Sequence, residues 1–139
     1  MKRILIRADA STQIGFGHVM RCLTLAEQLR KKGCFITFLA RKHAGNLNHL
    51  IKEKKFDVIE LPPHSNQSFQ GNDKTYLKWL GCKQSFDAKD CIASIQASSQ
   101  MIDLLIVDHY ALDEQWERAL RPWVKKIMVV DDLADRTHD

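Results

Sequence analysis

Short apolar runs alternate with amphipathic segments along this chain, which is the pattern of strands alternating with helices. The continuous apolar runs predict buried strands at 3–7, 35–39, 58–61, 104–107 and 127–130. Apolar side chains at helical spacing predict helices at 18–32, 46–55, 73–80, 87–100 and 113–120. The stretch at 62–72, rich in Pro, Ser, Asn, Gln and Gly, is typical of a surface loop.

This alternation predicts an α/β fold, a Rossmann-like three-layer parallel sheet with helices on both faces. Because crossover connections are right-handed, the natural strand order is 3-2-1-4-5. Ligands of such sheets bind at the carboxyl ends of the strands, beside the point where the strand order reverses. Here that point lies between strands one and four, so the loops after strands one, four and five are the candidate binding segments.

The chain has 139 residues, of which 45% are hydrophobic and 27% charged. These values are typical of one soluble globular domain and exclude disordered, collagen-like and coiled-coil proteins. No apolar run approaches the ~18–20 residues that a membrane-spanning helix needs, and the N-terminal residues lack the pattern of a signal peptide. We therefore expect a cytoplasmic protein with no membrane partner.

The net charge of +4 is uneven, because the excess of basic residues lies in residues 1–60. No basic run is interleaved with aromatic residues, so a nucleic-acid partner is not expected. The four cysteines form no CxxC pair and have no zinc-ligand spacing with histidine, which favours reduced thiols. Cys22 and Cys34 occupy apolar positions and are predicted to be core residues.

The first binding segment ends in two glycines and a histidine, since residues 15–21 read Gly-Phe-Gly-His-Val-Met-Arg. Gly15 and Gly17 let a ligand approach the backbone closely, and the helix that follows presents free N–H groups suited to an anion. Met20 stands where a dinucleotide fingerprint has its third glycine, so the segment does not fit that motif.

His18 is the candidate catalytic residue. It falls in the first helical turn, where the helix dipole disfavours imidazolium by ~0.3–1 kcal/mol and so favours the neutral ring that a general base requires. A histidine that only caps the turn would occupy the same position. Arg21 shares a helix face with His18 and either contacts a ligand or holds a nearby carboxylate.

Polar side chains also follow strands four and five. Asp108 and Tyr110 come after strand four, where Asp108 either orients an imidazole or caps the next helix. Asp131 and Asp132 follow strand five. Paired acids of this kind bind divalent metals, but turn formation with an Asp–Arg pair is the favoured interpretation, and no metal is expected. The candidate substrate-binding residues are thus Gly15, Gly17, Arg21, Asp108, Tyr110 and Asp131. Histidines elsewhere are interpreted as surface residues: His43, His49, His64 and His138.

These segments resemble one enzyme family. Residues 7–11 and 15–26 are similar to the opening of the UDP-sugar hydrolases of bacterial pseudaminic acid biosynthesis. Residues 107–113 and 131–136 are similar to two further motifs of that family, in the same order, and residues 79–81 add a weaker similarity. The combination is specific, although the Gly-x-Gly-His motif alone is shared with related glycosyltransferases.

The resemblance implies a metal-independent enzyme without a cofactor. It would hydrolyse UDP-2,4-diacetamido-2,4,6-trideoxy-β-L-altropyranose at the anomeric carbon with inversion, and His18 would activate the water. The free sugar would then serve the synthesis of a nonulosonic acid that decorates flagellin or surface polysaccharide.

The resemblance also implies a two-domain GT-B protein. Residues 1–139 match its N-terminal Rossmann-like domain, and the C-terminal nucleotide-binding domain is absent. We therefore expect this domain to fold but not to hydrolyse UDP-sugars by itself, and we expect its uncovered surface to favour a homo-oligomer.

Two other functions remain open. A GT-B glycosyltransferase would use the same glycine loop and histidine but would transfer the sugar to an acceptor. A non-catalytic half-domain would bind its ligand without turnover, even beside a nucleotide-binding domain.

Overall fold

The computed structural model describes residues 1–63 and 79–139. Most of the predicted loop at 62–72, nearly all of the predicted helix at 73–80, and His64 lie outside these residues. In the described part the elements are, in chain order, β1 (Arg3–Ala8), α1 (Gly17–Lys31), β2 (Phe35–Arg41), α2 (Asn48–Glu53), β3 (Asp57–Leu61), α3 (Gln84–Ser98), β4 (Ile102–Asp108), α4 (Glu114–Leu120), a 3-10 turn (Arg121–Trp123) and β5 (Val124–Val129).

The strands of the described residues form one parallel sheet in the order β3-β2-β1-β4-β5. This confirms the predicted Rossmann-like α/β fold and its strand order. β1 lies in the centre, and its last residue, Ala8, pairs with Asp108 at the end of β4. The strand order reverses at this pair, so the two loops that leave it flank one crevice.

The alternating side chains of the strands fill two cores, one on each face of the sheet. Helices α1 and α2 pack against one face, which includes Ile4, Ile6 and Phe38. Helices α3 and α4 pack against the other face, which includes Leu5 and Leu105. Strands buried on both faces have near-continuous apolar sequences, which explains why the apolar runs predicted them.

Several element boundaries differ from the prediction by a few residues, and two of the differences occur at charged residues. β5 begins at Val124 rather than at 127, because Lys125 and Lys126 are exposed on this edge strand and interrupt the apolar run. α3 begins at Gln84 rather than at Asp87, and Asp87 is a fully buried residue inside its first turn. In both places charged residues lie inside the element, so the apolar pattern did not show where the element begins.

Helix α1 is amphipathic, with Val19, Cys22 and Leu23 buried against the sheet. Cys22 is therefore a core residue as predicted, whereas Cys34 is only partly buried, at the start of β2. Within residues 1–63 and 79–139, no helix has both the length and the apolar composition needed to cross a bilayer.

Candidate active site

The glycine loop between β1 and α1 closes in a tight turn. The N–H of Gly15 donates to the Ser11 carbonyl at 2.9 Å. The Ser11 hydroxyl oxygen accepts the N–H groups of Gln13 and Ile14 at 3.2 and 2.9 Å. Gly15 has a φ of 84°, a left-handed conformation that glycine adopts without steric cost. The turn directs the chain into α1 at the carboxyl edge of the sheet.

The N-terminus of α1 is open. Phe16, the N-cap residue, makes no side-chain hydrogen bond to the first turn, and that turn contains no acidic residue. Apart from the adjacent backbone, a Cβ placed on Gly15 or on Gly17 would meet no atom of residues 1–63 or 79–139 within 4 Å. The free N–H groups and the positive end of the helix dipole therefore face accessible space, which is an arrangement suited to an anion.

His18, in the first turn of α1, is 7% exposed and contacts Asp108. Its Nδ1 lies 2.6 Å from Asp108 Oδ1. Because a carboxylate oxygen can only accept, Nδ1 must carry the hydrogen, and the neutral ring then has its lone pair on Nε2. Within the described residues, the polar contacts of this ring, to Asp108 and to Arg21 Nη2, both involve Nδ1. The geometry thus leaves Nε2 available as a base.

Arg21, one turn further along α1, holds Asp108 with two hydrogen bonds. Its Nε donates to Oδ2 and its Nη2 donates to Oδ1, both at 2.5 Å. Burial alone would raise the pKa of Asp108, but the hydrogen bonds from Arg21 and His18 outweigh it and lower that pKa below its usual value. Of the two roles open to Arg21, the structure shows the carboxylate-holding one.

Tyr110 packs against His18 from the loop after β4. The two rings meet edge to face, with centroids 4.4 Å apart. The Tyr110 hydroxyl donates to Asp132 at 2.7 Å, and Arg21 Nη1 lies 3.3 Å from the same carboxylate. The Trp79 ring lies 6.3 Å from that of Tyr110. These contacts link five polar side chains into one group, which we call the histidine cluster: His18, Arg21, Asp108, Tyr110 and Asp132.

Asp131 is not part of this cluster, although it was the candidate from that segment. Its Oδ1 accepts the N–H groups of Leu133 and Ala134 at 3.1 and 3.2 Å, and its Oδ2 lies 2.7 Å from His138. Arg136 pairs with it at 3.2 Å. Turn formation with an Asp–Arg pair, the favoured alternative, is therefore what the structure shows. Asp131 shapes the turn that presents its neighbour Asp132.

A second charged cluster, which the sequence did not reveal, lies buried under the same edge of the sheet. Arg7 donates to Asp9 at 2.6 and 3.0 Å and to Asp87 at 2.7 and 3.2 Å. Arg41 and the Trp116 indole also donate to Asp87, at 2.5 and 2.9 Å. Burial raises the pKa of both acids, but the adjacent guanidinium groups lower it more, so both remain ionised. We call Arg7, Asp9, Arg41 and Asp87 the buried quartet.

Two histidines join the quartet through Asp9. His43 Nε2 and His109 Nε2 lie 3.1 and 3.0 Å from the same oxygen. His109 accepts the Ala111 N–H at Nδ1, and burial lowers its pKa, so its single proton points at Asp9. Interpreting His43 as a surface residue was wrong, because only 13% of its side chain is exposed. Asp9 begins the glycine loop, so these contacts fix where that loop leaves β1.

A groove of about 510 Å³ lies at the opposite end of the sheet, between α3 and the amino ends of the first three strands. Its floor includes Leu5, Leu39 and Ile95. The histidine cluster and the open helix N-terminus are at the carboxyl edge instead, where ligands of this sheet type bind. We therefore place the candidate chemistry there rather than in the groove.

No protein-family model matches the chain. An uncharacterised protein of Methanocaldococcus jannaschii is 26% identical over 130 residues, which cover 94% of this chain and 22% of that protein. A UDP-2,4-diacetamido-2,4,6-trideoxy-beta-L-altropyranose hydrolase of Campylobacter jejuni is 36% identical over 72 residues, with 41% of this chain and 26% of that protein covered. Both similarities extend over about a quarter of the relative's own length.

Among solved structures, the crystal structure of LpCGTa in complex with UDP has a similar fold. Its TM-score is 0.59 at 20% sequence identity, and the match covers 87% of this chain and 28% of LpCGTa. At this identity the similarity shows the fold, a Rossmann-like α/β domain that in LpCGTa is one part of a longer chain.

Proposed function

We propose that this domain is the catalytic, sugar-binding part of an enzyme that hydrolyses a UDP-sugar. Two similarities support a nucleotide-sugar ligand. The Campylobacter relative is named for the hydrolysis of a UDP-sugar, and the protein of similar fold was crystallised with UDP. The first substrate we propose is UDP-2,4-diacetamido-2,4,6-trideoxy-β-L-altropyranose, the substrate in that relative's name.

The observation that carries the proposal is the 2.6 Å contact between His18 Nδ1 and Asp108. A carboxylate that fixes the proton on one ring nitrogen makes the other nitrogen a base and stabilises the imidazolium that forms when it takes a proton. This pair lies beside an uncapped helix N-terminus, where a phosphate group is stabilised. A base and an anion site side by side are what the hydrolysis of a sugar diphosphate requires.

In the proposed reaction, a water molecule gives a proton to His18 Nε2 while its oxygen forms a bond to the anomeric carbon. The bond between that carbon and the diphosphate oxygen breaks on the opposite face, and UDP leaves with the electron pair. The sugar is released with inverted configuration. Gly15 and Gly17 let the substrate approach the N-terminus of α1, and Tyr110 lines the sugar site beside His18.

We further propose that a second, nucleotide-binding domain holds the UDP, as in a GT-B protein. The support is the length of the relatives, of which this chain matches only about a quarter. In this arrangement the histidine cluster acts on the sugar, and the other domain supplies the remote binding energy that orients the anomeric carbon.

The test is His18→Ala in a protein that carries both domains. We expect kcat to fall by ~10²–10⁴, the usual contribution of a general base, while the circular dichroism spectrum stays unchanged because His18 lies outside both apolar cores and Arg21 still holds Asp108. UDP release and free sugar are measured together. The control is His49→Ala, an exposed histidine on α2. Retention of more than about half the rate would make His18 structural.

A glycosyltransferase is the second candidate, because a base placed at His18 Nε2 removes a proton from an alcohol as readily as from water. The same assay separates the two functions. A hydrolase releases free sugar when water is the only acceptor, whereas a transferase releases UDP only after an acceptor alcohol is added. Binding without turnover, with both domains present, would indicate a non-catalytic binding domain.

A further inference from the structure

Residues 131–139, which we call the strap, cross from the end of β5 to helix α4. The Thr137 carbonyl accepts the N–H of Glu114 at 2.9 Å, and the N–H of Asp139 donates to Glu117 at 2.8 Å. Glu117 is fully buried. The strap is therefore attached to both the start and the middle of α4.

The other end of the strap reaches the histidine cluster. Asp132 accepts the Tyr110 hydroxyl at 2.7 Å and lies 3.3 Å from Arg21. Arg136 donates to the Tyr110 carbonyl at 2.5 Å, and its guanidinium carbon lies 5.7 Å from the centre of the Tyr110 ring. The position of Tyr110 beside His18 thus depends on where the strap lies.

His138 connects the two ends, because each of its ring nitrogens faces a carboxylate. Nδ1 lies 2.6 Å from Glu117 Oε2, and Nε2 lies 2.7 Å from Asp131 Oδ2. A neutral imidazole has one N–H, so at one of these contacts a lone pair would face a carboxylate oxygen. Both contacts are attractive only when the ring carries two protons. The interpretation of His138 as a surface residue holds only in part, because a quarter of its side chain is exposed while both ring nitrogens are engaged.

The charges around His138 show which contact is lost when the ring becomes neutral. Arg136 also pairs with Asp131, so that carboxylate keeps a cation. Arg121 and Arg118 are directed at Asp139, at 2.6 and 3.8 Å. Among the described residues, His138 is the one cationic partner within ion-pair distance of Glu117. Because a buried carboxylate without a partner charge is strongly unfavourable, the single N–H of a neutral ring stays on Glu117, and the contact with Asp131 is the one lost.

We propose that His138 is a proton-operated latch that ties the Asp131 turn of the strap to Glu117 on α4 and thereby positions Asp132 and Tyr110 beside His18. At low pH the imidazolium binds both carboxylates and the strap is held. At higher pH the neutral ring keeps its single N–H on Glu117 and releases Asp131, so the turn that presents Asp132 loosens. The role of the latch in regulating catalysis rests on the proposed function, whereas the latch itself is a property of this chain.

The direction of the pH dependence follows from the pKa of His138. Burial lowers that pKa, but hydrogen bonds to Asp131 and Glu117 raise it more, so it lies above the ordinary 6.5. A group whose pKa is raised on folding contributes stability below its unfolded value and loses it as the pH rises through the folded value. Release is therefore expected on the alkaline side of 6.5.

The experiment is an NMR titration of the ligand-free chain. The ring signal of His138 gives its pKa, the amide signals of Leu133 and Ala134 report on the strap, and the ring signals of Tyr110 report on the cluster. We expect all of them to change with one midpoint above 6.5. A His138 midpoint at or below 6.5, or strap signals that do not follow it, overturns the proposal. Because no substrate is present, failure of the proposed hydrolysis leaves this result untouched.

Two variants separate a latch from a merely structural histidine. His138→Gln has no charge and should show loosened strap signals at every pH, with an unchanged dichroism spectrum. His138→Arg keeps a permanent cation with several donors and should show held signals through the pH at which the wild type releases. The control His49→Gln should titrate like the wild type. If the strap signals of His138→Arg change at the same pH midpoint as those of the wild type, another group causes the transition and the proposal is overturned.

Discussion

Asp108 is the residue on which the proposed site depends most. Its Oδ1 lies against His18 Nδ1 and Arg21 Nη2, and its Oδ2 lies against Arg21 Nε and, at 3.5 Å, the thiol of Cys22. The two hydrogen bonds from Arg21 neutralise much of the carboxylate charge. Asp108 therefore acts mainly by fixing which nitrogen of His18 carries the proton, and less by its charge.

This assignment predicts the effect of Asp108→Asn. The amide has one accepting oxygen, so its NH2 group must take the position of Oδ1 or of Oδ2. With the oxygen at the Oδ2 position, against Arg21 Nε, the NH2 group faces His18 Nδ1 and moves the ring proton to Nε2, so the base is lost. We expect kcat to fall by ~10²–10⁴, and ¹⁵N NMR of the His18 ring to show the changed tautomer. Asp57→Asn, at an exposed position on β3, is the control. An unchanged tautomer with an unchanged rate would contradict the assignment.

At the scale of the elements, the glycine loop offers a matched pair of substitutions. Gly15 has a φ of 84°, so Gly15→Ala should lower the free energy of unfolding by ~1–3 kcal/mol. Gly17 opens α1 without a positive φ and has free space before it, so Gly17→Ala should leave stability nearly unchanged. Its methyl group would occupy the space in which we propose the ligand, so calorimetric titration of a protein that carries both domains with a UDP-sugar should show weaker binding. Equal binding by Gly17→Ala and the wild type would place the ligand elsewhere.

The buried quartet joins β1, β2 and α3, and it predicts a large stability effect. Asp87→Asn removes the charge that both Arg7 and Arg41 face in the interior. Breaking a buried pair in this way costs ~3–5 kcal/mol, measured by urea denaturation. In contrast, Glu27→Gln removes a half-exposed pair with Lys54 and should cost ~0–1 kcal/mol. If Asp87→Asn lowered the free energy of unfolding by no more than Glu27→Gln does, the quartet would not stabilise the fold.

The same quartet gives the acid dependence of stability. Asp9 and Asp87 have pKa values below the ordinary 3.8, so their contribution is present above that value and is lost as the pH falls through their folded values. The urea midpoint of the wild type should therefore fall as the pH is lowered below about 4, and Asp87→Asn should show a shallower decline.

For the molecule as a whole, we predict that this chain folds by itself but does not turn over UDP-sugars. Folding is expected because the sheet is covered by helices on both faces. Turnover is not expected, because it requires UDP to be bound firmly enough to hold the anomeric carbon near the base. Such positioning lowers the activation barrier by ~7–11 kcal/mol. Calorimetry with UDP and an assay for free sugar test this. Micromolar binding with turnover would show that a second domain is dispensable.

Self-association through strand five remains a prediction. β5 lies at the edge of the sheet, but its exposed side chains include Lys125 and Lys126. Charged side chains on an edge strand oppose pairing with another sheet. Lys125 pairs within its own chain, with Asp103 at 3.0 Å. Any homo-oligomer is therefore more compatible with another surface than with this edge.

The sequence by itself determined the strands, their order, and the placing of His18 and Asp108 at one edge of the sheet. Apolar periodicity is a local property, and the handedness of crossovers is general, so neither needs the rest of the molecule. The same reasoning brought Tyr110 to that edge. It selected Asp131 where the structure brings Asp132 to the cluster, because the sequence does not show which of two adjacent turn residues the backbone directs toward a given neighbour.

Only the tertiary structure decided the charged contacts. Arg7 and Asp87 are 80 positions apart, and His138 and Glu117 are 21 apart. Charged residues normally face solvent, so a sequence pattern favours an exposed position for each of them. Arg7, Asp87 and Glu117 are fully buried, and each one meets an opposite charge that a different segment brings to it. The pairing of distant residues is a property of the packed fold, and this is why the buried quartet and the latch became visible only in three dimensions.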